Sequence, residues 1–264
     1  MKRSDRAIGA LSVERRNAIL DLLRSQGTVR TATLAAALGV DVATVRRDLR
    51  ALSLDHPISV VHGGATLAHG RPGVLHELDL ATKQVTNLAA KQAIARKAAG
   101  LIRDGETIAL NAGSTVALVL DYLPARLTDL TVVTLGLNIA VRAAAIAYVT
   151  LFLPGGYYRR SSQALTGPTA ISVLEGIHVD RAFLGAVAVD LEAGWTHPSH
   201  VEVGTNQLLV RIATHAYLLA DSSKFDKVSF AKVCDLQDFD TLIVDDAVPA
   251  HYREWASAHG IDLL

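Results

Sequence analysis

Residues 31–50 read Thr31-Ala32-Thr33-Leu34-Ala35-Ala36-Ala37-Leu38-Gly39-Val40-Asp41-Val42-Ala43-Thr44-Val45-Arg46-Arg47-Asp48-Leu49-Arg50, two helical patterns on either side of a glycine. Thr31 can cap the first, Gly39 can end it in a left-handed turn, and Asp41 can cap the second, which runs from Val42 to about Ser53. Two short helices joined by a tight glycine-containing turn form a helix-turn-helix. At about 100° per residue, Val42, Val45, Leu49 and Leu52 share a stripe that predicts a core face. Ala43, Arg47 and Arg50 stand opposite, flanked by Thr44, Arg46 and Ala51, with no acid among them. Three arginines alone would better suit a solvated helix face; the turn before them favours DNA. Ala43, Thr44, Arg46 and Arg47 are expected to enter the groove and Arg50 to meet the backbone, since arginine suits bidentate contact with guanine or phosphate.

Upstream, apolar residues at Val13, Ile19, Leu20, Leu22 and Leu23 predict an amphipathic helix from Ser12 to Gln26, stopped by Gly27. Downstream, Asp55-His56-Pro57 cannot continue a helix, and Ile58-Ser59-Val60-Val61-His62-Gly63-Gly64 reads as a hairpin. The N-terminal region is therefore expected to be a winged helix-turn-helix over residues 1–66, with Arg30, Thr31 and the wing residue His62 adding to the DNA-facing set. Charge agrees. The 264-residue chain is neutral overall, but residues 1–70 carry ten Lys and Arg against six Asp and Glu, leaving sixteen against twenty for the rest. A basic head on an acidic body suits contact with phosphates at the N-terminus.

Length suits a small domain plus a medium one. A single cysteine and the lack of a leader-like apolar segment argue against a secreted disulfide framework, and the longest apolar run, Ala143 to Leu153, is far below the ~20 residues of a membrane helix. A cytoplasmic protein with no membrane partner is expected. Residues 67–84, with Arg71-Pro72-Gly73, read as a linker, and residues 85–264 as a second domain. There, a helix from Val85 is followed by short apolar strands alternating with helices, which predicts an α/β fold with a mostly parallel sheet covered on both faces.

Ligands of such sheets bind beyond the carboxyl ends of the strands. Asn111-Ala112-Gly113-Ser114-Thr115 lies between a strand and a helix, where unpaired backbone N–H groups favour an anion and two hydroxyls add donors. Pro154-Gly155-Gly156 ends another strand and leaves room for a ligand to approach the backbone. Asp180-Arg181-Ala182-Phe183-Leu184-Gly185 and Asp221-Ser222-Ser223-Lys224-Phe225 complete the loop set.

The blocks Glu14-Arg15-Arg16, Leu34-Ala35, Leu38-Gly39-Val40, Thr44-Val45-Arg46-Arg47-Asp48-Leu49 and His62-Gly63-Gly64-Ala65 resemble the DeoR/GlpR family of sugar-metabolism regulators. Asp104-Gly105, Asn111-x-Gly113-Ser114-Thr115, Gly155-Gly156, Asp180-x-Ala182-Phe183, Glu202 and Ala220-Asp221-Ser222-Ser223-Lys224-Phe225 extend the resemblance over nearly the whole chain. The resemblance implies a ribose-5-phosphate isomerase-like sensor domain and a phosphorylated sugar or polyol as effector. It implies that Gly113-Ser114-Thr115 holds phosphate, that Lys224 supplies charge or hydroxyl contacts, and that Asp180 and Glu202 meet sugar hydroxyls, with Asn111, Thr134, Gly155 and Gly156 in the same site. It also implies repression as the mode of control. The chain departs from the family pattern at Asp41, Val60, Asn111 and Leu135.

A sugar-phosphate isomerase is the rival, and it needs poised carboxylates. None follows Asp180 in Gly185-Ala186-Val187-Ala188-Val189, Asn111 removes another, and an isomerase has no use for the first 65 residues; no enzymatic activity is expected. No cofactor is expected either, because no P-loop, nucleophile elbow or dinucleotide fingerprint is present. The histidines of His197-Pro198-Ser199-His200, read as solvent-facing, lack companions for a metal site. Because one helix-turn-helix reads few base pairs, a homodimer or dimer of dimers on double-stranded operator DNA is expected, assembled through the C-terminal domain.

Overall fold

A computed structural model of the chain describes residues 15–23, 28–55, 58–61, 63–67 and 80–264. His62, the outer ends of the first predicted helix and most of the predicted linker lie outside these residues. The chain divides into two compact units, Met1–Pro72 and Gly73–Leu264.

In the N-terminal unit, residues 15–23 are helical (α1). Strand β1 (Thr28–Arg30), helices α2 (Thr31–Leu38) and α3 (Val42–Asp55), and strands β2 (Ile58–Val61) and β3 (Gly64–Leu67) follow. The strands form an antiparallel sheet of order β1-β3-β2. This is a winged helix-turn-helix. Ile19 and Leu23 of α1, Leu34 of α2, and Val45 and Leu49 of α3 are fully buried together, which is why the apolar residues recur at helical spacing. Gly39 adopts φ 65° and its N–H donates to the Ala35 carbonyl, the left-handed helix stop its lack of a Cβ permits. Gly64 answers a different need: a Cβ there would stand 2.7 Å from the Val29 carbonyl, so only glycine lets β3 cross β1 this closely.

The C-terminal unit opens with α4 (Leu80–Val85), so the end of the segment read as linker is helical, and α5 starts at Leu88 rather than Val85 (Leu88–Gly100). The main elements that follow are β4 (Thr107–Leu110), α6 (Ser114–Ala117, continued by a 3-10 turn), β5 (Leu130–Thr134), α7 (Leu137–Ala143), β6 (Val149–Phe152), the hairpin β7 (Tyr157–Arg159) and β8 (Ala164–Thr166), and α8 (Pro168–Leu174). Then come β9 (Val179–Gly185), β10 (Ala188–Asp190), β11 (Gly194–His197), α9 (Val203–Arg211), β12 (Ala213–Ala220), β13 (Ala231–Cys234), β14 (Thr241–Val244), α10 (Ala250–His259) and β15 (Asp262–Leu263). The stretch from Val201 to His215 divides between a 3-10 turn, α9 and the start of β12.

Seven strands form a parallel sheet of order β15-β14-β12-β9-β4-β5-β6. Alternate residues serve opposite faces. Ala182, Leu184, Leu218 and Ala220 pack into one core with α8 and α9, whereas Phe183, Tyr217 and Leu219 pack into the other with α5 and α6. Both faces are covered, so these strands read as continuous apolar runs. From β4 the chain adds strands outward to β6, then returns to β9 beside β4 and adds strands in the other direction. The β4/β9 pair is thus the point where the winding reverses, and a crevice opens above its carboxyl ends. In a small antiparallel sheet of order β10-β11-β13, Trp195 packs against Phe239, ring centroids 5.9 Å apart.

Candidate effector cavity and DNA-facing helix

On α3, Ala43, Arg46, Arg47 and Arg50 are exposed, as is Arg30. Asp41 caps the helix: the Thr44 N–H donates to Oδ1 and the Thr44 hydroxyl to Oδ2, both at 2.8 Å. Those bonds hold the Asp41 carboxyl below the usual carboxylate range and engage the Thr44 hydroxyl that was expected to meet DNA. Thr31 is not the cap of α2 but its first residue; it is buried, and its N–H donates to the Gly63 carbonyl at 2.9 Å, so its side chain is not on the surface. Val42, placed on the core stripe, is exposed because it occupies the first turn, ahead of the packed residues. Asp48 lies on the inner side of α3, only 2 % exposed, and receives Arg15 Nε at 2.6 Å and Arg16 Nε at 3.1 Å. This clamp ties α1 to α3.

In the C-terminal unit a cavity of about 290 Å³ sits at the winding reversal. Gly113, Ser114 and Thr115 line it where α6 begins, and Gly185 lines it at the end of β9. Beneath them Asn111 joins the two strands: the Gly185 N–H donates to its Oδ1 at 2.9 Å, and its Nδ2 donates to Asn206 Oδ1 at 3.1 Å. Buried and satisfied, Asn111 shapes the floor rather than lining the cavity.

Four lysines line the same cavity: Lys83 from α4, Lys91 from α5, and Lys224 and Lys227 from the loop after β12. Lys91 is only 2 % exposed, and its ammonium donates to the Lys83 carbonyl. Burial, reinforced by the nearby charge of Lys224, pulls its pKa down to about 8. Among the expected residues, Lys224 and Glu202 are also on the wall. Glu202 is held by Arg159 Nη1 at 2.7 Å and the Ser162 hydroxyl at 2.8 Å. His197, read from sequence as solvent-facing, is buried in the wall on β11.

The other expected residues lie elsewhere. Thr134 is fully buried, its hydroxyl donating to the Leu110 carbonyl at 2.8 Å and accepting from the Gly136 N–H at 3.1 Å, which fastens β5 to β4. Asp180 stands at the amino end of β9, where its Oδ2 accepts the Thr107 N–H at 2.7 Å; in a parallel sheet that is the edge opposite the cavity. Gly155 and Gly156 adopt φ 78° and 111° and are absent from the wall. A Cβ on Gly156 would come within 2.6 Å of the Thr166 carbonyl, so its glycine permits close passage of two chain segments. Lys91 was within reach of sequence reasoning, since it occupies the same helical stripe as Ile94, Ala95 and Ala98, a charge where only apolar groups belong. Ser162 and His197 had no such signal.

The DeoR C-terminal sensor domain matches residues 86–246 and the DeoR-like helix-turn-helix domain matches residues 15–71. The chain is 34% identical over 257 residues to the HTH-type transcriptional regulator GlpR of Haloferax volcanii, covering 96% of this chain and 98% of that one. It is 33% identical over 240 residues to the lactose phosphotransferase system repressor of Lactococcus lactis, covering 90% and 93%. Among solved structures, ribose 5-phosphate isomerase A from Methanocaldococcus jannaschii aligns with a TM-score of 0.39 and 23% identity over 53% of this chain and 55% of that one. No described helix is long and apolar enough to cross a membrane. The chain belongs to the DeoR family of DNA-binding transcriptional regulators, which bind operator DNA through the helix-turn-helix domain.

Proposed function

We propose that this regulator represses genes of carbohydrate metabolism and that a phosphorylated sugar or polyol, bound in the Lys91 cavity, changes its affinity for operator DNA. The observation that carries this reading is the convergence of Lys83, Lys91, Lys224 and Lys227 with the Gly113-Ser114-Thr115 turn on one cavity. Ammonium groups and turn N–H groups together suit a compact dianion, and the polar wall of Ser162, His197 and Glu202 suits a ligand whose other end carries hydroxyls. On DNA, Arg46 and Arg47 would reach bases and Arg50 a phosphate, in a homodimer or dimer of dimers joined by the C-terminal units. The ligand must favour one arrangement of the DNA-binding units over another; a coupling of about 1–3 kcal/mol, roughly 5- to 150-fold in DNA affinity, is the usual range.

The test is binding of the purified chain to the DNA upstream of its own gene, at two salt concentrations, with and without a panel of sugar phosphates. Salt-sensitive binding that one phosphate ester shifts about tenfold supports the reading. Specific DNA binding that no phosphate ester alters removes the effector half of it.

Lys91 adds a pH dependence. Its ammonium is lost as pH rises through about 8, and an anion binds the charged form better. Affinity for inorganic phosphate, already mostly dianionic at pH 8, is expected to fall roughly fivefold to tenfold between pH 7.5 and pH 9. Calorimetric titration across that range checks it; a flat profile would show that Lys91 does not meet the anion.

A further inference from the structure

We propose that the open edge of β6 joins two copies of this chain, each β6 pairing antiparallel with the same strand of the other copy across a two-fold axis. The proposal rests on the reading of the chain as a dimeric regulator and supplies the surface that brings its copies together. The two edges of the seven-stranded sheet differ. At one edge β15 is two residues long and carries the exposed Asp262, and both features discourage pairing. At the other, β6 runs Val149-Thr150-Leu151-Phe152, and no charged residue occurs between Arg142 and Arg159. The edge is thus without the charges that normally keep an exposed strand single. Its backbone faces outward at alternate residues. The Leu130 N–H donates to the Tyr148 carbonyl at 3.1 Å and the two strands run parallel from there, so Tyr148, Thr150 and Phe152 turn their peptide groups to β5 and Leu151 turns its own to the open side.

A second copy answers this edge in register. With Leu151 opposite the same residue of the other copy, each donates its N–H to the other's carbonyl, the closed pair of bonds of an antiparallel ladder. Thr150 then stands opposite Phe152 in both directions. Both residues are exposed and lie on one face of the strand, so the contact forms two aromatic-to-β-branched cross-strand pairs. Area agrees as well. Phe152 is 38 % exposed and Leu153 41 %, and a few residues on Tyr157 is 73 % and Tyr158 51 % exposed. An aromatic side chain carries about 150–250 Å², so these four present about 400 Å² of apolar surface per copy. A standard interface takes about 800 Å² from each partner, of which about 57 % is apolar, or about 450 Å². The four side chains come close to that amount before any polar rim is added. A two-fold contact also provides the pair of helix-turn-helix units that two half-sites require, with no second kind of protein.

The test is the mass of the full-length chain by sedimentation equilibrium across a dilution series. Phe152→Glu and Tyr157→Glu, both at exposed positions, should each raise the dissociation constant about thirtyfold or more, the scale of losing a central aromatic anchor. A dimer then falls to monomer, or a dimer of dimers to dimer. Thermal melting establishes that the variants are folded. A cross-link reads the register without disturbing the fold by charge. Thr150→Cys with Phe152→Cys, in a chain whose native thiol is removed by Cys234→Ser, places cysteines opposite each other with Cα atoms about 4.5 Å apart, within disulfide range. Mild oxidation should give a covalent dimer of full length, and Thr150→Cys paired with Asp262→Cys should give none. Wild-type mass in both glutamate variants, or no covalent dimer from the Thr150 and Phe152 pair, would overturn the β6 contact and leave a dimeric regulator joined elsewhere. A wild-type chain that is monomeric at every concentration removes the dimeric reading itself, and this inference with it.

Discussion

Asp48→Ala is expected to destabilise the DNA-binding unit by about 3 kcal/mol, enough to remove most of the stability a unit of this size commands. The carboxylate is 2 % exposed and takes the Nε of both Arg15 and Arg16, so it is a charged link between α1 and α3. Breaking a buried pair by removing one partner costs about 3–5 kcal/mol because the other charge is left uncompensated. Here the arginine side chains are 21 % and 38 % exposed and can regain water, which places the effect at the low end. Asp48→Asn keeps the volume and one acceptor and should cost less. Hydrogen exchange is the measurement. Amides of α3 around Leu49 and Leu52 should lose about two orders of magnitude of protection, and specific DNA affinity should fall with them, while the C-terminal unit keeps its exchange pattern. Wild-type protection in α3 would mean that the apolar contacts of Ile19, Leu23, Val45 and Leu49 hold the unit without the clamp.

Lys91→Met should separate stability from ligand binding. A lysine whose folded pKa lies near 8 against 10.5 in the open chain carries a burial penalty when charged. That penalty is fully present below pH 8 and disappears as pH rises from 8 to 10.5, because the unfolded chain binds more protons over that window and stability climbs. Methionine fills similar volume without charge. The lost hydrogen bond to the Lys83 carbonyl offsets part of the gain, so the C-terminal unit at pH 7 should be as stable as wild type or more stable by about 1–2 kcal/mol. Affinity for inorganic phosphate or a sugar phosphate should instead fall about 10- to 100-fold, the scale of one charge-assisted contact in a partly desolvated site. Urea unfolding followed through Trp195 and Trp255, together with titration of phosphate, reads both quantities. Destabilisation by several kcal/mol with unaltered phosphate affinity would make Lys91 a structural prop for α4 and not part of an anion site.

The parts of this architecture written into local sequence are those with a local physical cause. Gly39 follows Leu38 because a left-handed turn is cheap only for glycine, and Asp41 caps α3 because a carboxylate can reach the N–H of a residue three positions on. The arginine face of α3 follows from helical periodicity alone. Apolar strands such as Ala182 to Leu184 declare a sheet buried on both faces, and Gly113-Ser114-Thr115 at a strand-to-helix turn already points to an anion. Lys91 was equally legible as a charge on an apolar stripe.

Side-chain direction and long-range closure were not written there. Asp48, beside two arginines in sequence, turns inward to two others more than thirty positions away, which periodicity cannot foresee. Asp180, Thr134 and the Gly155-Gly156 pair occur in motifs that the family resemblance ties to the site, yet the strand order sends the first to the far edge of the sheet and gives the others to backbone closure. Ser162, His197 and Glu202 meet only because the β7–β8 hairpin, β11 and the turn before α9 fold over the β4/β9 reversal. The sequence by itself determined which segments become helix or strand and that an anion-favouring turn exists, because those depend on neighbours within a few residues. Only the tertiary structure decided which charges surround that turn, because a cavity is made by residues that share space without sharing sequence.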